Sequence, residues 1–219
     1  MEGRSFAMTS LKSMEARLQA QSALHFLPYI GPEYGVAAPR IAMLGEAAHG
    51  PAPAGQNRSF VRSVVRTALD ESAKGMKGDH WIRYIRNIEA MLGGREYGEP
   101  EHCWQKLAYA VFFQRIKTNP GDGHTPEDIR RGREAFSALL DILAPDYLIV
   151  WGQTLLKNGW LPQEGLTTLE VSLPLYVYAD HPHTLIWQCH HPSRDFSYRN
   201  EHTRWLAVQK TAAARDGAS

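Results

Sequence analysis

The stretch RIAMLGEAAHG, residues 40–50, indicates the fold class of this chain. Its apolar run, residues 41–44, ends at Gly45, which is the pattern of a buried strand followed by a turn residue. Two later apolar runs also predict buried strands: residues 147–152 end at Gly152, and residues 184–189 lead into His190 and His191. Because helical patterns separate these apolar runs, the sequence predicts an α/β fold with a parallel sheet.

The helical patterns fill the intervals between the predicted strands. Residues 8–27 are amphipathic, and residues 59–91 are mostly helical until the Gly93–Gly94 pair ends the pattern. Residues 104–116 are ambiguous between helix and strand. We predict a helix there that gives way to a strand around residues 109–115.

The next helix has a well-defined start. Thr125 suits the N-cap position, Pro126 the first helical position, and Asp128 the acid of a capping box. Pro145 is expected to end the helix. The predicted apolar stripe consists of Phe136, Leu139, Leu140 and Leu143.

The 219-residue chain has an ordinary globular composition, with 43% hydrophobic and 21% charged residues. We predict one domain spanning residues 1–219, in which residues 1–35 form a helical N-terminal extension and residues 36–210 the core. No apolar run approaches the ~18 residues of a membrane span, so no membrane partner is expected. Cys103 and Cys189 are too few for a disulfide framework or a CxxC zinc site, which favours a cytoplasmic setting.

The charge balance of 24 basic and 23 acidic residues neither favours nor excludes nucleic acid. A DNA-binding protein needs only a local basic track, because a few side chains and backbone amides make the phosphate contacts. Residues 58–86 contain such a run, but Asp70, Glu71 and Asp79 interrupt it. A solvated helix face is the simpler interpretation of this run.

Three chemically rich segments follow the predicted strands. They are GEAAHG from Gly45, QRIKTNPGDGH from Gln114, and HHPSRDFSY from His190. In parallel sheets, functional residues gather in the loops beyond the carboxyl ends of the strands. We therefore expect the three segments to open on one edge of the sheet and to form one site.

The GEAAHG segment combines small residues with two candidate bases. Gly45, followed by Ala47 and Ala48, allows the backbone to approach a ligand closely and present its amides. Glu46 or His49 could then act as a base on water. The alternative is a plain tight turn in which Glu46 caps a helix.

The adjacent His190 and His191 have two interpretations. Neighbouring residues on a strand point to opposite faces, which argues against a metal site built on both. The absence of HxxxH and HExxH spacing argues the same way. The alternative is one exposed histidine and one buried, hydrogen-bonded histidine. We assign a structural role to His190 and a functional one to His191.

Three segments, in this order, resemble the uracil-DNA glycosylase superfamily. The first is IAMLGEAAHG with GQNRSFV downstream: the family places a base-stacking Phe about fifteen residues after the Gly of its water-activating loop, as Phe60 follows Gly45. The second, residues 110–152, is similar to the stretch with the family's base-reading Asn, a Pro/Gly-rich loop, a helix and a buried strand ending in Gly. The third is the HPS motif, residues 191–193.

The resemblance implies a three-layer α/β/α sandwich with a central, mainly parallel four-stranded sheet. It also implies a monomeric DNA glycosylase that needs no metal or other cofactor and has DNA as its partner. Such an enzyme would flip out and hydrolyse off a pyrimidine-type base, uracil or a modified pyrimidine. A monofunctional mechanism is expected because GEAAHG and HPS hold no lysine for a Schiff base; we interpret Lys117 as a phosphate contact.

The resemblance also implies residue roles. His191 would donate a hydrogen bond to the base oxygen as negative charge develops there. Phe60 would stack on the flipped base, and Gln114 would read its edge. Contacts to DNA are implied for four more residues. Pro192 and Ser193 would grip the DNA backbone, and Arg194 or Phe196 would fill the space that the flipped base leaves in the stack.

The chain also departs from the family pattern. In the best-known branch the first loop reads Gly-Gln-Asp-Pro-Tyr-His; here Ala47 replaces the water-activating Asp, and His49 replaces the Tyr that blocks groups at pyrimidine C5. The Gly-Glu-Ala start is closer to the iron–sulfur branch, but two cysteines cannot supply the four ligands of that cluster. We therefore predict Glu46 as the base that activates water, with His49 as the second choice.

Three other functions stay open at this point. A glycosylase specific for a 5-substituted pyrimidine, as in defence against phage with altered DNA bases, fits the absence of the Tyr. A non-catalytic nucleic-acid-binding protein of the same fold fits Ala47. A metal hydrolase built on some of the ten histidines fits least well.

Overall fold

The computed structural model describes residues 11–36, 39–76, 80–95, 100–119, 121–192 and 196–217. The helices within these ranges are α1 (Leu11–Ala20), α2 (Phe60–Ala73), α3 (His80–Gly93), α4 (Pro100–Gln105), α5 (Pro126–Leu143), α6 (Thr154–Lys157) and α7 (Tyr198–Gly217). The strands are β1 (Tyr29–Ile30), β2 (Ile41–His49), β3 (Leu107–Lys117), β4 (Tyr147–Trp151), β5 (Leu166–Glu170), β6 (Leu175–Tyr178) and β7 (His181–Cys189). A short 3₁₀ helix covers Ala52–Gln56.

The strands form one mixed sheet in the order β1-β3-β2-β4-β7-β6-β5. The neighbouring strands β3, β2, β4 and β7 pair in parallel. Strands β1, β6 and β5 pair with their neighbours in the antiparallel direction. The predicted α/β class is confirmed, whereas the prediction of a four-stranded sheet is wrong. The three extra strands escaped the sequence pattern because β1 and β6 are very short and β5 is largely exposed.

Both faces of the sheet are covered by helices. Alternate residues of a strand point to opposite faces, so Leu44 packs with α1 and α5 while Met43 packs with α2, α3 and α7. The first group, which we call the α1/α5 cluster, includes Met14, Leu18, Phe136, Leu139 and Leu140. The second, the α2/α3/α7 cluster, includes Val61, Val65, Ile85, Ile88, Trp205 and Val208.

Several predicted boundaries are wrong. The GEAAHG segment is not a loop, because β2 continues through Gly45 to His49 and pairs with β3 along this length. The strand predicted at residues 109–115 is longer at both ends, and the helix before it is the separate α4. The long helical pattern from residue 59 is two helices, α2 and α3. The pattern at residues 8–27 becomes α1, which ends at Ala20.

The start of α5 follows the prediction. The Thr125 hydroxyl accepts a hydrogen bond from the backbone N–H of Asp128 at 3.1 Å, and the Asp128 carboxylate accepts one from the backbone N–H of Thr125 at 2.8 Å. This is a complete capping box. The predicted apolar stripe is buried, and the helix ends at a left-handed Ala144 before Pro145. Among the described helices, none is both long enough and apolar enough to cross a membrane.

Candidate functional site

The three chemically rich segments meet at one edge of the sheet, as predicted. Strands β2, β3 and β7 all belong to the parallel part, so their carboxyl ends lie on the same side. In the sheet, β4 separates β2 from β7. At about 4.8 Å per strand, the axes of β2 and β7 are therefore roughly 10 Å apart.

Glu46 has two partners at this edge. Its Oε1 lies 3.1 Å from the Lys117 ammonium and 3.1 Å from Nε2 of His124. Burial tends to raise the pKa of Glu46, but the hydrogen bonds from His124 and Lys117 outweigh burial and hold this pKa below its ordinary value. Glu46 is therefore ionised at neutral pH, as a base for water must be.

Lys117 pairs with Glu46, and its side chain is only 10% exposed. A phosphate contact at Lys117 would have to share this ammonium with Glu46. His124, which was not predicted as a site residue, closes the QRIKTNPGDGH segment. The one sequence signal for His124 was its position in a segment that we expected to lie at the edge of the sheet with the functional residues.

Gly45 lies against an aromatic side chain. A Cβ atom at this position would lie 2.6 Å from the Tyr109 hydroxyl oxygen, so a larger residue would require the Tyr109 side chain to shift. The adjacent Ala47 and Ala48 are buried, each in a different hydrophobic cluster, and they line the core rather than an open loop. His49, the second candidate base, is exposed at the last position of β2.

His191 lies over the end of β4. Its ring makes edge contacts with Tyr84, at 5.5 Å between centroids, and with Trp151, at 6.4 Å. A Cβ atom on Gly152 would lie 3.5 Å from the His191 side chain, an ordinary van der Waals distance, so Gly152 lies beside the imidazole. His191 is half-buried.

An aromatic wall connects His191 with Gly45. We use this name for Trp81, Tyr84, Tyr109 and Trp151. Tyr109, which covers Gly45, stacks on Trp151 with 4.8 Å between centroids. Trp81 makes edge contacts with both tyrosines. The wall therefore links the predicted loop Gly and the predicted His on one face of the sheet, although β4 lies between their strands.

His190 has a different environment from His191. Its Nδ1 lies 2.7 Å from Oε1 of Glu201, a carboxylate on α7 whose side chain is 2% exposed. Arg204 binds the same oxygen at 3.0 Å. The two histidines therefore have different surroundings: His190 anchors the end of β7 to α7, whereas His191 faces the aromatic wall, and the functional role of His191 stays a prediction.

The rest of the HHPSRDFSY segment is only partly described. Pro192 is buried, and its carbonyl accepts a hydrogen bond of 2.6 Å from the Asn87 amide on α3. Ser193 and Arg194 lie outside the described residues. Phe196 is half-buried and packs against the α2/α3/α7 cluster. A role as a wedge in DNA would require Phe196 to leave this packing.

Gln114 lies at an irregularity of β3, between Phe113 and Ile116, which pair with consecutive residues of β2. Its side-chain oxygen accepts hydrogen bonds from the backbone N–H groups of His25, at 3.0 Å, and Phe26, at 2.9 Å. Its side-chain nitrogen donates to backbone carbonyls of β3. The amide thus holds the segment after α1, and reading a base would require exchange of these partners.

Phe60 is the first residue of α2 and lies beside the residue that follows β2. A Cβ atom at Gly50 would lie 2.9 Å from the Phe60 ring. The ring is half-buried and 6.3 Å from that of Phe26. Phe60 therefore lies close to the end of β2, where the resemblance expects a base-stacking residue.

An open cleft of about 780 Å³ lies between the segment after α1, the end of β3 and the start of α5. Its lining is mainly polar and includes Arg58, Arg115, Arg130 and Arg131. Each of these guanidinium groups already contacts a carboxylate or a backbone carbonyl. Any phosphate bound here would have to share them.

Helix α3 supports the site with Tyr84 and Asn87 and carries a buried acid, Glu89, which is 3% exposed. Neither carboxylate oxygen of Glu89 has a hydrogen-bond partner in the described part of the chain. Burial raises the pKa of Glu89 to about 8, against a smaller opposing effect of Arg86. Glu89 is therefore protonated at neutral pH in the folded protein.

Because of the raised pKa of Glu89, we expect the free energy of unfolding to depend on pH. The unfolded chain loses the Glu89 proton near pH 4.5, whereas the folded chain keeps it to about pH 8. The free energy of unfolding should therefore fall as pH rises from about 4.5 to 8, by at most roughly 1.4 kcal/mol for each pKa unit. We expect Glu89→Gln to lose less stability than wild type between pH 5 and pH 8.5 in urea unfolding. Glu164→Gln, at an exposed site, is the control and should behave as wild type.

In comparisons with known proteins, no family model and no curated protein matches this chain. Among the described residues, no three histidine, cysteine, aspartate or glutamate side chains lie close enough together to hold a metal ion.

Proposed function

We propose that this protein is a monofunctional DNA glycosylase that flips out a pyrimidine-type base, uracil or a modified pyrimidine, and removes it by hydrolysis. One observation carries the proposal. The ionised Glu46 and the half-buried His191 lie at the same edge of the parallel strands: Glu46 contacts His124, which stacks on Phe113 of the α1/α5 cluster, and His191 contacts the aromatic wall on the other face of the sheet. Tyr109 and Trp151 are buried, so Trp81 and Tyr84 are the members of the wall on which a flat flipped base would stack, as glycosylases hold such a base.

The proposed reaction uses Glu46 as the base. Its carboxylate takes a proton from water, and the water oxygen forms a bond to C1′ of the sugar. The N-glycosidic bond breaks, and its electron pair leaves with the base as an anion. The proton held by Glu46 balances the charge of that anion, and an abasic sugar with a hydroxyl group at C1′ remains.

His191 is proposed as the donor that stabilises the leaving base. A neutral imidazole with one N–H group directed at the base oxygen would stabilise the negative charge as it develops. Packing by Tyr84, Trp151 and Gly152 fixes the ring before the reaction, which supports such a preorganised donor. No step in this scheme requires a metal or a lysine Schiff base.

In this proposal the choice of base depends on the residues that would surround pyrimidine C5. His49 stands where the family's best-known branch has a Tyr that excludes groups at pyrimidine C5. A 5-substituted pyrimidine therefore falls within the proposal as an alternative substrate. We propose that the enzyme acts as a monomer on DNA.

Phe60→Ala should weaken base release less than changes at the catalytic groups. Stacking on one base contributes about 1–3 kcal/mol, which corresponds to roughly 5- to 150-fold. The loss is expected mainly in the KM for the damaged oligonucleotide. Single-turnover kinetics over a range of enzyme concentrations measure it, and Phe60→Leu should recover part of it. An unchanged KM in Phe60→Ala would remove Phe60 from the base pocket.

A second function, nucleic-acid binding without catalysis, is favoured by one observation. Glu46 is paired with Lys117 and His124, which is also what a purely structural ion pair would look like. Oligonucleotides containing uracil, hypoxanthine and several 5-modified pyrimidines separate the two functions. A glycosylase leaves alkali-labile abasic sites on at least one of them, with or without chelator. Tight binding with no abasic product would support the binding protein, and loss of activity in chelator would support a metal hydrolase.

A further inference from the structure

In the three-residue cluster of Glu46, Lys117 and His124, the two carboxylate oxygens of Glu46 accept different numbers of hydrogen bonds. Oε1 accepts both hydrogen bonds, each at 3.1 Å. Among the described residues, no group donates to Oε2, and the Glu46 side chain is 28% exposed. Within the described ranges, one oxygen is thus held by protein, and the other has no donor and belongs to a partly exposed side chain.

His124 is held firmly in this cluster. Its ring stacks on Phe113 with 3.4 Å between centroids and an angle of 9°. Trp160 meets the same ring edge-on at 5.1 Å. The His124 side chain is only 3% exposed, so the ring cannot turn away from Glu46 without disturbing the α1/α5 cluster against which Trp160 packs.

The loop before His124 is fixed as well. The Asp122 carboxylate accepts hydrogen bonds from the backbone N–H groups of Thr118, at 3.0 Å, and Asn119, at 2.9 Å. Arg115 donates to the carbonyl of Gly123, the residue before His124, and pairs with Asp128 at 2.9 Å. The backbone on both sides of His124 is therefore tied to β3 and α5.

The hydrogen-bond geometry indicates which nitrogen of His124 carries the proton. Nε2 faces the carboxylate and must donate, whereas Nδ1 is buried without a partner among the described residues. Burial lowers the pKa of His124, against the opposing effect of Glu46. A neutral ring with its proton on Nε2 satisfies the contact and leaves only a bare lone pair at the buried Nδ1.

The geometry points to His124 as a positioning residue: with Lys117, it holds Oε1 of Glu46 so that Oε2 is presented to the water that attacks the sugar. This inference rests on the proposed function, because it assigns the reacting oxygen of the proposed base. His124 touches neither base nor sugar in this scheme and acts through Glu46. Misplacing a reacting group by about 1 Å costs on the order of 100-fold, which sets the scale of the effect.

His124→Phe is the sharpest test because it keeps the ring stack and removes the donor. In protein labelled with ¹³C-carboxyl glutamate, the Glu46 signal is identified by its loss in Glu46→Gln. We expect the signal to titrate at a higher pH in His124→Phe than in wild type. His124→Gln, whose amide can donate to the same oxygen, should move the titration back toward wild type. His183→Gln, at an exposed position, is the control.

The kinetic readouts distinguish positioning from a structural defect. His124→Phe should lower kcat for base release by roughly 10- to 100-fold and leave the Kd for DNA within twofold. The acid limb of its pH–rate profile should move to higher pH. An unchanged Glu46 titration in a folded His124→Phe protein overturns the inference. If wild type releases no base from any oligonucleotide, the proposed function fails, and the titration alone still decides whether His124 controls Glu46.

Discussion

His191→Ala should lower the rate of base release by about 10²–10³, the loss found when one anion-stabilising donor is removed from an active site. The reason is that His191 is the half-buried imidazole at the active edge, fixed against Tyr84, Trp151 and Gly152. The effect should fall on kcat rather than on DNA binding, because charge on the base oxygen develops only during bond cleavage. Single-turnover release of the base, measured beside DNA affinity by fluorescence anisotropy, separates the two.

His190→Ala is the matched control for this change. It removes the adjacent imidazole and its 2.7 Å contact with Glu201, so it should lower the free energy of unfolding. Its base-release rate should stay within a few-fold of wild type, since His190 faces α7 and not the aromatic wall. A wild-type rate in His191→Ala, or an equal loss in both variants, would contradict the assignment of His191.

Glu46→Gln is expected to lower kcat by about 10²–10⁴, the contribution of a general base. Gln has nearly the same shape, and its oxygen can still accept the hydrogen bond from His124, so the site should keep its geometry. The change also leaves the Lys117 ammonium, 10% exposed, without its carboxylate. That loss should cost about 1–3 kcal/mol of stability, measured by urea unfolding.

The two readouts of Glu46→Gln separate the competing functions. A purely structural ion pair predicts the loss of stability alone, with no turnover to lose. The proposed glycosylase predicts both losses, and Glu164→Gln should show neither. If Glu46→Gln kept full base release, His49 would become the base to test next, by His49→Gln.

The sequence predicted those strands and helix ends that depend on the pattern of neighbouring residues. The apolar runs at residues 147–152 and 184–189 correspond to β4 and β7, and the Thr125 capping box starts α5. Patterns of this kind depend on residues within a few positions of one another. Sequence patterns failed where distant residues or missing apolar residues decide the structure. Strand β2 continues past Gly45 because β3 pairs beside it. Strand β5 is exposed and therefore lacks an apolar pattern.

The candidate site was predictable only in outline. Glu46 and His191 were identified by their place after strands, but the partners that define Glu46 lie 71 and 78 residues away. The residues that engage Gln114 lie 88 and 89 residues before it, and through them Gln114 holds the segment after α1. No periodicity in the sequence reports contacts at such separations.

The sequence by itself determined that this chain is α/β and that its reactive segments share one edge of a parallel sheet. This follows because apolar strands that alternate with helices along the chain form a parallel sheet, in which the carboxyl ends of the strands lie at one edge. Only the tertiary structure decided that Lys117 and His124 hold Glu46, and that an aromatic wall connects Gly45 with His191. Strand register and side-chain packing between distant segments set those contacts, and both arise only when the whole chain folds.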